Sequence, residues 1–277
     1  MIPPIANRFV AGETPDEALD YASELNDRGM TAILNLLGEH YDEREPADDD
    51  ADSYLELIDM IAERDVEACI SVKPSQIGLF VSEKVFRENF DRIVEKARED
   101  DVFVWLDMED HTTTDATIDA YLDAVSDYLD VGICLQANLK RTPKDLERVA
   151  GTPGKIRLVK GAYDPPEGIG HSDKTRVNAA YRENLEYMFE NFDARIAVGT
   201  HDMEMVEYAD ELSDEYDKDF EVQMLMGVRQ QLQYDLAGEY EMYQYVPYGG
   251  KWMSYFYRRI RERKENLVFA MRAIVSG

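Results

Sequence analysis

Eight short apolar runs alternate with amphipathic stretches of helical length in a chain of 277 residues, and this predicts an α/β fold, a (βα)8 TIM-like barrel. Two further observations support it. Parallel strands need long crossovers, which the intervening stretches supply. No low-complexity linker or short internal repeat divides the chain, so residues 1–277 are expected to form a single barrel domain. A doubly wound open sheet has the same periodicity and is the rival architecture.

The expected strands, in order, are "TAILNLL" (31–37), "VEACISV" (66–72), "VFVWLD" (102–107), "VGICLQA" (131–137), "IRLVKGA" (156–162), "ARIAVGT" (194–200), "FEVQMLM" (220–226) and "YEMYQYVPY" (240–248). Their β-branched and aromatic content and their length mark them as strands. Between them, residues 82–100 show the helical pattern best, with Phe86, Phe90, Ile93, Val94 and Ala97 on one face and charges on the other. Helices are likewise predicted over 53–65, 113–130, 142–150, 175–192, 203–217, 228–239 and 252–275. Thr142, Pro143 and Asp145 read as a helix start, with an N-cap oxygen, a first-turn proline and an acid near the positive end of the dipole. The acidic "GEHYDEREPADDD" (38–50) reads as a solvated connection.

Composition limits the partners. With 58 acidic against 30 basic residues the formal charge is −28, which repels phosphate backbones and anionic membranes, so nucleic acid is not an expected partner. Carboxylates spread along the whole chain fit a protein kept soluble in concentrated salt, where self-repulsion is screened. Cys69 and Cys134 lie in separate apolar runs and read as buried structural thiols, not a disulfide, a nucleophile or a zinc pair. No secretory signal or long apolar span is visible, and the expected location is cytoplasmic.

In a barrel of this kind active sites gather where strands end and βα loops begin. Polar residues stand at seven such ends: Lys73; Asp107, Glu109 and Asp110; Gln136; Lys160; Thr200, His201 and Asp202; Gln223; Tyr245 and Tyr248. Singly, each has a plain structural role, Lys73 as a snorkelling surface lysine and Asp107 as a helix cap or ion-pair partner. Together they mark a site.

Missing motifs narrow its type. There is no GxGxxG, GxxxxGK[ST] or GxSxG, and His40, His111, His171 and His201 have no metal-ligand spacing, so no metal is expected. "DMED" has the acids for a hard cation but fits a helix start or ion pair better. Cations collect instead, at Lys73, Arg157, Lys160, Arg258, Arg259, Arg261 and Arg263. Adjacent arginines on a helix point about 100° apart, so Arg258 and Arg259 can reach one anion from two sides. Their planar forks suit a carboxylate.

The stretches "RFVAGET", "SVKPSQIG", "LDMED", "QANL", "RLVKGAY", "GTHD", "QMLMGV" and "YVPYG" followed by "YFYRRIRE" run from Arg8 to Glu262. In this order they resemble the proline dehydrogenase family, flavin enzymes that oxidise proline to 1-pyrroline-5-carboxylate. The resemblance implies a distorted barrel with FAD at the carboxyl ends of the strands and the last helix over the mouth. It implies that Arg258 and Arg259 hold the proline carboxylate, that Lys73 lies beside the substrate paired with Asp107, and that Leu225 and Tyr245 pack on the ring. Arg157 would sit near the central ring of the flavin, with Met108, Gln136, Lys160, Gly161, Ala162, Thr200 and His201 lining the cofactor.

The implied reaction is transfer of a hydride from L-proline to FAD, Asp107 and Arg157 serving electrostatically, with electrons passing on to a quinone during a transient membrane contact. A homo-oligomer or a separate dehydrogenase for the next step is the implied partner. Asn138, where the family often carries an aromatic residue, and Met226, in place of a tyrosine, depart from the pattern. So does a chain that starts almost at "RFVAGET", without the helices many relatives place before it. Tyr245 implies proline over hydroxyproline. The alternative function is a flavin-free barrel that binds a small carboxylate as a lyase or sensor.

Overall fold

The computed structural model describes residues 2, 6–162, 165–193, 195–253 and 255–257. After a short turn, Ala6–Arg8, the order is α1 (Pro15–Asn26), β1 (Met30–Leu36), α2 (Arg44–Arg64), β2 (Ala68–Val72), α3 (Glu83–Glu99), β3 (Val104–Leu106), α4 (Thr114–Asp127) and β4 (Val131–Gln136). There follow α5 (Thr142–Val149), β5 (Lys155–Val159), α6 (Lys174–Asn191), β6 (Ile196–Gly199), α7 (Met203–Tyr216), β7 (Phe220–Leu225), α8 (Gln230–Leu236) and β8 (Glu241–Tyr248). All eight strands pair in parallel in sequence order, and β1 closes on β8 from Met30↔Met242 to Leu36↔Tyr248. That pairing makes the sheet a closed barrel and removes the open-sheet alternative.

Each expected strand is present, and β3 is reduced to three residues. The helix predicted best is also observed, with Phe86, Phe90, Ile93, Val94 and Ala97 of α3 buried against the barrel wall and Ser82 capping it through Val85 N–H at 3.2 Å. Two expectations are corrected. Helix α1 was not predicted, although "TPDE" carries its signal: Thr14 caps, Pro15 opens the first turn, and Glu17 returns a bond to the Thr14 backbone N–H. The segment 38–50 is not simply a solvated connection, because α2 begins at Arg44 and turns Ala47 and Ala51 into the core.

Local chemistry differs at α5 as well. Thr142 does not supply the cap oxygen; its hydroxyl donates to the Gln136 carbonyl, tying the helix to the end of β4. Cys69 and Cys134 are free and buried, and burial pushes the Cys69 thiol up to about 12. Among the described residues no helix is long and apolar enough to cross a membrane. Most of the expected helix 252–275, and with it Arg258 and Arg259, lies outside the described residues.

Side chains alternate across a strand, so the lumen is lined by every second residue. Near its middle Ile33, Cys69, Trp105 and Ala197 pack together, with Phe103, Tyr243 and Tyr245 against them. Gly132 faces the same space, where a Cβ would come within 2.6 Å of the Trp105 ring. The small residue on β4 is what lets the indole lie across the lumen.

Candidate active site

A cavity of about 550 Å³ opens at the carboxyl ends of the strands. Its wall takes Lys73 from the end of β2, Asp107, Met108 and Glu109 after β3, and Arg157 to Ala162 from β5 and beyond, Leu158 excepted. Gly199 ends β6 and Thr200 and His201 follow it, Gln223 and Leu225 lie on β7, and Tyr245 lies on β8. Asp110 and Tyr248, also polar at strand ends, are not part of the wall.

Arg157 is the centre of this arrangement and is only 4 % exposed. It sits two residues past Lys155 on β5 and so points into the lumen, with its guanidinium carbon 4.8 Å from the centroid of the Trp105 ring. Nη2 forms an ion pair with Asp107 Oδ1, and Nη1 donates to Gln223 Oε1 at 3.1 Å. Nε is buried and has no hydrogen-bond partner among the described residues.

Asp107 is used on all sides. Ser71 Oγ donates to Oδ1 at 2.8 Å and Tyr245 O–H donates to Oδ2 at 2.7 Å. Burial, and then the Asp107 charge, push the Tyr245 hydroxyl well above its ordinary range, so it remains a donor. The carboxylate therefore aligns a cation and a ring hydroxyl across the floor of the cavity.

The rim after β5 is built differently. Lys160 Nζ reaches Asp202 at 2.5 Å and Asn178 at 2.7 Å. Burial raises the Asp202 carboxyl, but the Lys160 contact outweighs it and leaves the group below its ordinary value. Gly161 has φ +107°, and a Cβ there would fall 2.2 Å from Asn138 Oδ1. Only glycine meets both demands, and the backbone is left bare at the cavity wall. His201 Nε2 accepts the Leu225 N–H at 3.0 Å and its carbonyl accepts from Arg229, which ties the end of β6 to β7.

Among the sequence candidates, Lys73, Asp107, Met108, Arg157, Lys160, Gly161, Ala162, Thr200, His201, Leu225 and Tyr245 converge on the cavity. Gln136 does not line it: its amide donates to the Met108 and Glu109 carbonyls at 2.9 and 3.0 Å and shapes the loop that carries Asp107. The expected pairing of Lys73 with Asp107 is also corrected. Asp107 takes Arg157 as its cation, because both project from the lumen face at one level, and Lys73 donates to Asn35 Oδ1.

Several wall residues had no role assigned from sequence, Asn35, Gln223 and Glu109 among them. Asn35 is a lone amide in "AILNLL", and its position two residues past the buried Ile33 was the available signal. Gln223 stood out only as a polar strand end. Glu109 accepts Ser75 N–H and Oγ–H, both at 2.8 Å, and burial raises its carboxyl above the usual range.

Comparison with known proteins agrees with this geometry. The family model described as proline dehydrogenase matches residues 18–272. Proline dehydrogenase 1 of Bacillus subtilis (strain 168) is 34 % identical over 276 residues, covering 98 % of this chain and 90 % of that protein. Proline dehydrogenase of Deinococcus radiodurans is 34 % identical over 284 residues, covering 99 % of this chain and 91 % of that one. The crystal structure of proline utilization A from Bdellovibrio bacteriovorus inactivated by N-propargylglycine superposes with a TM-score of 0.85 at 24 % identity over 92 % of this chain. This chain spans 32 % of that larger protein, a likeness of fold. With a family match across most of its length and relatives alike over nearly all of it, the chain belongs to the proline dehydrogenase family.

Proposed function

We propose that this cavity oxidises L-proline to 1-pyrroline-5-carboxylate, the first step of proline catabolism, with FAD as cofactor and a quinone as the final electron acceptor. Membership of the proline dehydrogenase family makes the chain an oxidoreductase of that class. The observation that carries the site assignment is Arg157: buried at the cavity wall and clamped by Asp107 and Gln223.

The wall fits the cofactor. Arg157 would hold it through its positive charge, and Lys160, Gly161 and Ala162 would bring bare backbone against it, with Met108, Thr200 and His201 completing the enclosure. Gln136 would act from behind, by fixing the Met108 carbonyl. A bound FAD supplies the two-electron acceptor for the hydride that leaves the ring carbon beside nitrogen.

The residues of the chain bind and orient. Leu225 and Tyr245 would pack on the proline ring, Lys73 would stand beside the substrate, and Arg258 and Arg259 would hold its carboxylate in a two-sided fork. Asp107 has both oxygens engaged by Arg157, Ser71 and Tyr245, so its role is to position those groups rather than to take a proton. In this reading residues 1–277 act as one catalytic domain, reach the quinone during brief membrane contact, and hand the product to a separate dehydrogenase or partner subunit.

Steady-state turnover of the FAD-supplemented protein with L-proline and a short-chain quinone tests the reading, with the cyclic imine trapped as a coloured adduct. Quinone reduction matched by trapped imine is expected. A flavin-free carboxylate-binding barrel would give neither.

A further inference from the structure

Beneath the cavity the lumen is polar at a level where barrels of this type pack branched apolar side chains. Lys155 opens β5 and Glu221 lies near the start of β7, and they are 4 % and 2 % exposed. They form an ion pair, and neither lines the cavity. A pair buried this deeply is costly to desolvate, and an apolar pair would fill the space at less cost. Its presence calls for a reason other than stability.

The reason lies in the next bond. Glu221 Oε1 accepts from Gln223 Nε2 at 2.6 Å. A carboxylate only accepts, so this contact fixes which way round the Gln223 amide lies, and its oxygen is turned to Arg157 Nη1 at 3.1 Å. Asp107 holds Nη2 and Trp105 lies under the guanidinium plane. Both ends of the fork are thus set. Burial raises the Glu221 carboxyl and the Lys155 ammonium opposes that shift.

We propose that Lys155 and Glu221 are positioning residues that act through Gln223 on Arg157, fixing the roll of its guanidinium at the wall where the cofactor would bind. The proposal rests on the flavin-dependent reading of the site given above. Its logic is directional. Without the carboxylate at position 221 the Gln223 amide is free to turn over, its amino group opposes Arg157 Nη1, and two donors face each other until the guanidinium rolls away.

Three variants test it. Gln223→Met keeps the volume and removes the acceptor, and Glu221→Gln keeps the shape and removes the charge. The double variant E221Q/Q223E exchanges the two groups, so that a carboxylate faces Arg157, an amide oxygen faces Lys155, and the net charge is unchanged. The readouts are the midpoint potential of the bound flavin, the rate of its reduction by proline, and the proline KM. Each single variant is expected to slow reduction about tenfold and to lower the potential by about 30 mV, the two-electron equivalent of tenfold. The proline KM stays within about twofold, and the double variant recovers most of both losses.

Single variants with the wild-type potential, or a double variant no better than the singles, overturn the proposal. If one single variant fails to fold, the other single and the double variant decide it. A wild-type protein that binds no flavin contradicts the underlying reading instead, and this proposal falls with it.

Discussion

At the scale of single residues the site is organised by one carboxylate. Asp107 Oδ2 accepts the Tyr245 hydroxyl while Oδ1 takes Arg157 and Ser71. In Tyr245→Phe the ring remains to pack on substrate and only this hydrogen bond is lost. Bonds to a charged group are worth about 1.5–3 kcal/mol, so kcat/KM for proline is expected to fall at least about tenfold. Unchanged steady-state constants would mean that the Asp107 to Tyr245 contact plays no part in the reaction. Asp50, at the side of the site, is a second case. Its Oδ2 accepts Tyr41 O–H at 2.6 Å and Gln76 Nε2–H at 2.8 Å, and burial raises its carboxyl to about 6. Because the folded value lies above the ordinary 3.8, the folded form holds a proton that the unfolded form has lost, so stability falls as pH rises between about 4 and 6. Asp50→Asn keeps both accepted bonds and removes this dependence. It is expected to gain about 1–2 kcal/mol over wild type above pH about 7, discounted for partial exposure, and nothing below pH about 4. Urea unfolding at several pH values measures the difference, and a gain independent of pH would refute the assignment.

At the scale of elements, what the sequence made legible follows from how each element is stabilised. The strands announce themselves because a barrel wall is apolar on both faces, and α3 does so because its outer face is charged. Helix α1 is harder to see: its short apolar set, Ala18, Leu19, Ala22 and Leu25, is diluted by acids, and its cap lies in a segment that reads as loop. The start of α2 is hidden by its own acids, since "REPADDD" looks solvated until Asp48 is found bonded to Arg44 and Asn89, and Asp50 to Tyr41 and Gln76. The site shows the same division. Residues at strand ends were visible one by one, and the family motifs gave them roles. Partners were not, because pairing depends on the stagger between non-adjacent strands: Arg157 meets Asp107 from two strands away, while Lys73, just past the neighbouring β2, turns to Asn35. The buried Lys155 and Glu221 pair is invisible in sequence for the same reason, its members standing 66 positions apart.

At the scale of the whole molecule the formal charge of −28 is the dominant property. Arginines and lysines are drawn into pairs, as where Arg141 and Arg148 share Asp115, yet 58 acidic residues face 30 basic ones. Raising NaCl from about 0.1 M to above about 1 M shortens the screening length from about 10 Å to about 3 Å. Relief of self-repulsion exceeds the loss of exposed ion pairs, which are worth little singly, so the thermal midpoint is expected to rise over that range. A falling midpoint would show that the surface pairs dominate. The same salt sets the conditions for the decisive experiment, an anaerobic titration of the FAD-supplemented protein with L-proline, followed by the visible absorbance of the flavin. The account predicts stoichiometric binding of FAD and bleaching of its blue-region band by L-proline, with none by glycine or hydroxyproline. A flavin that binds but stays oxidised in the presence of proline would contradict it.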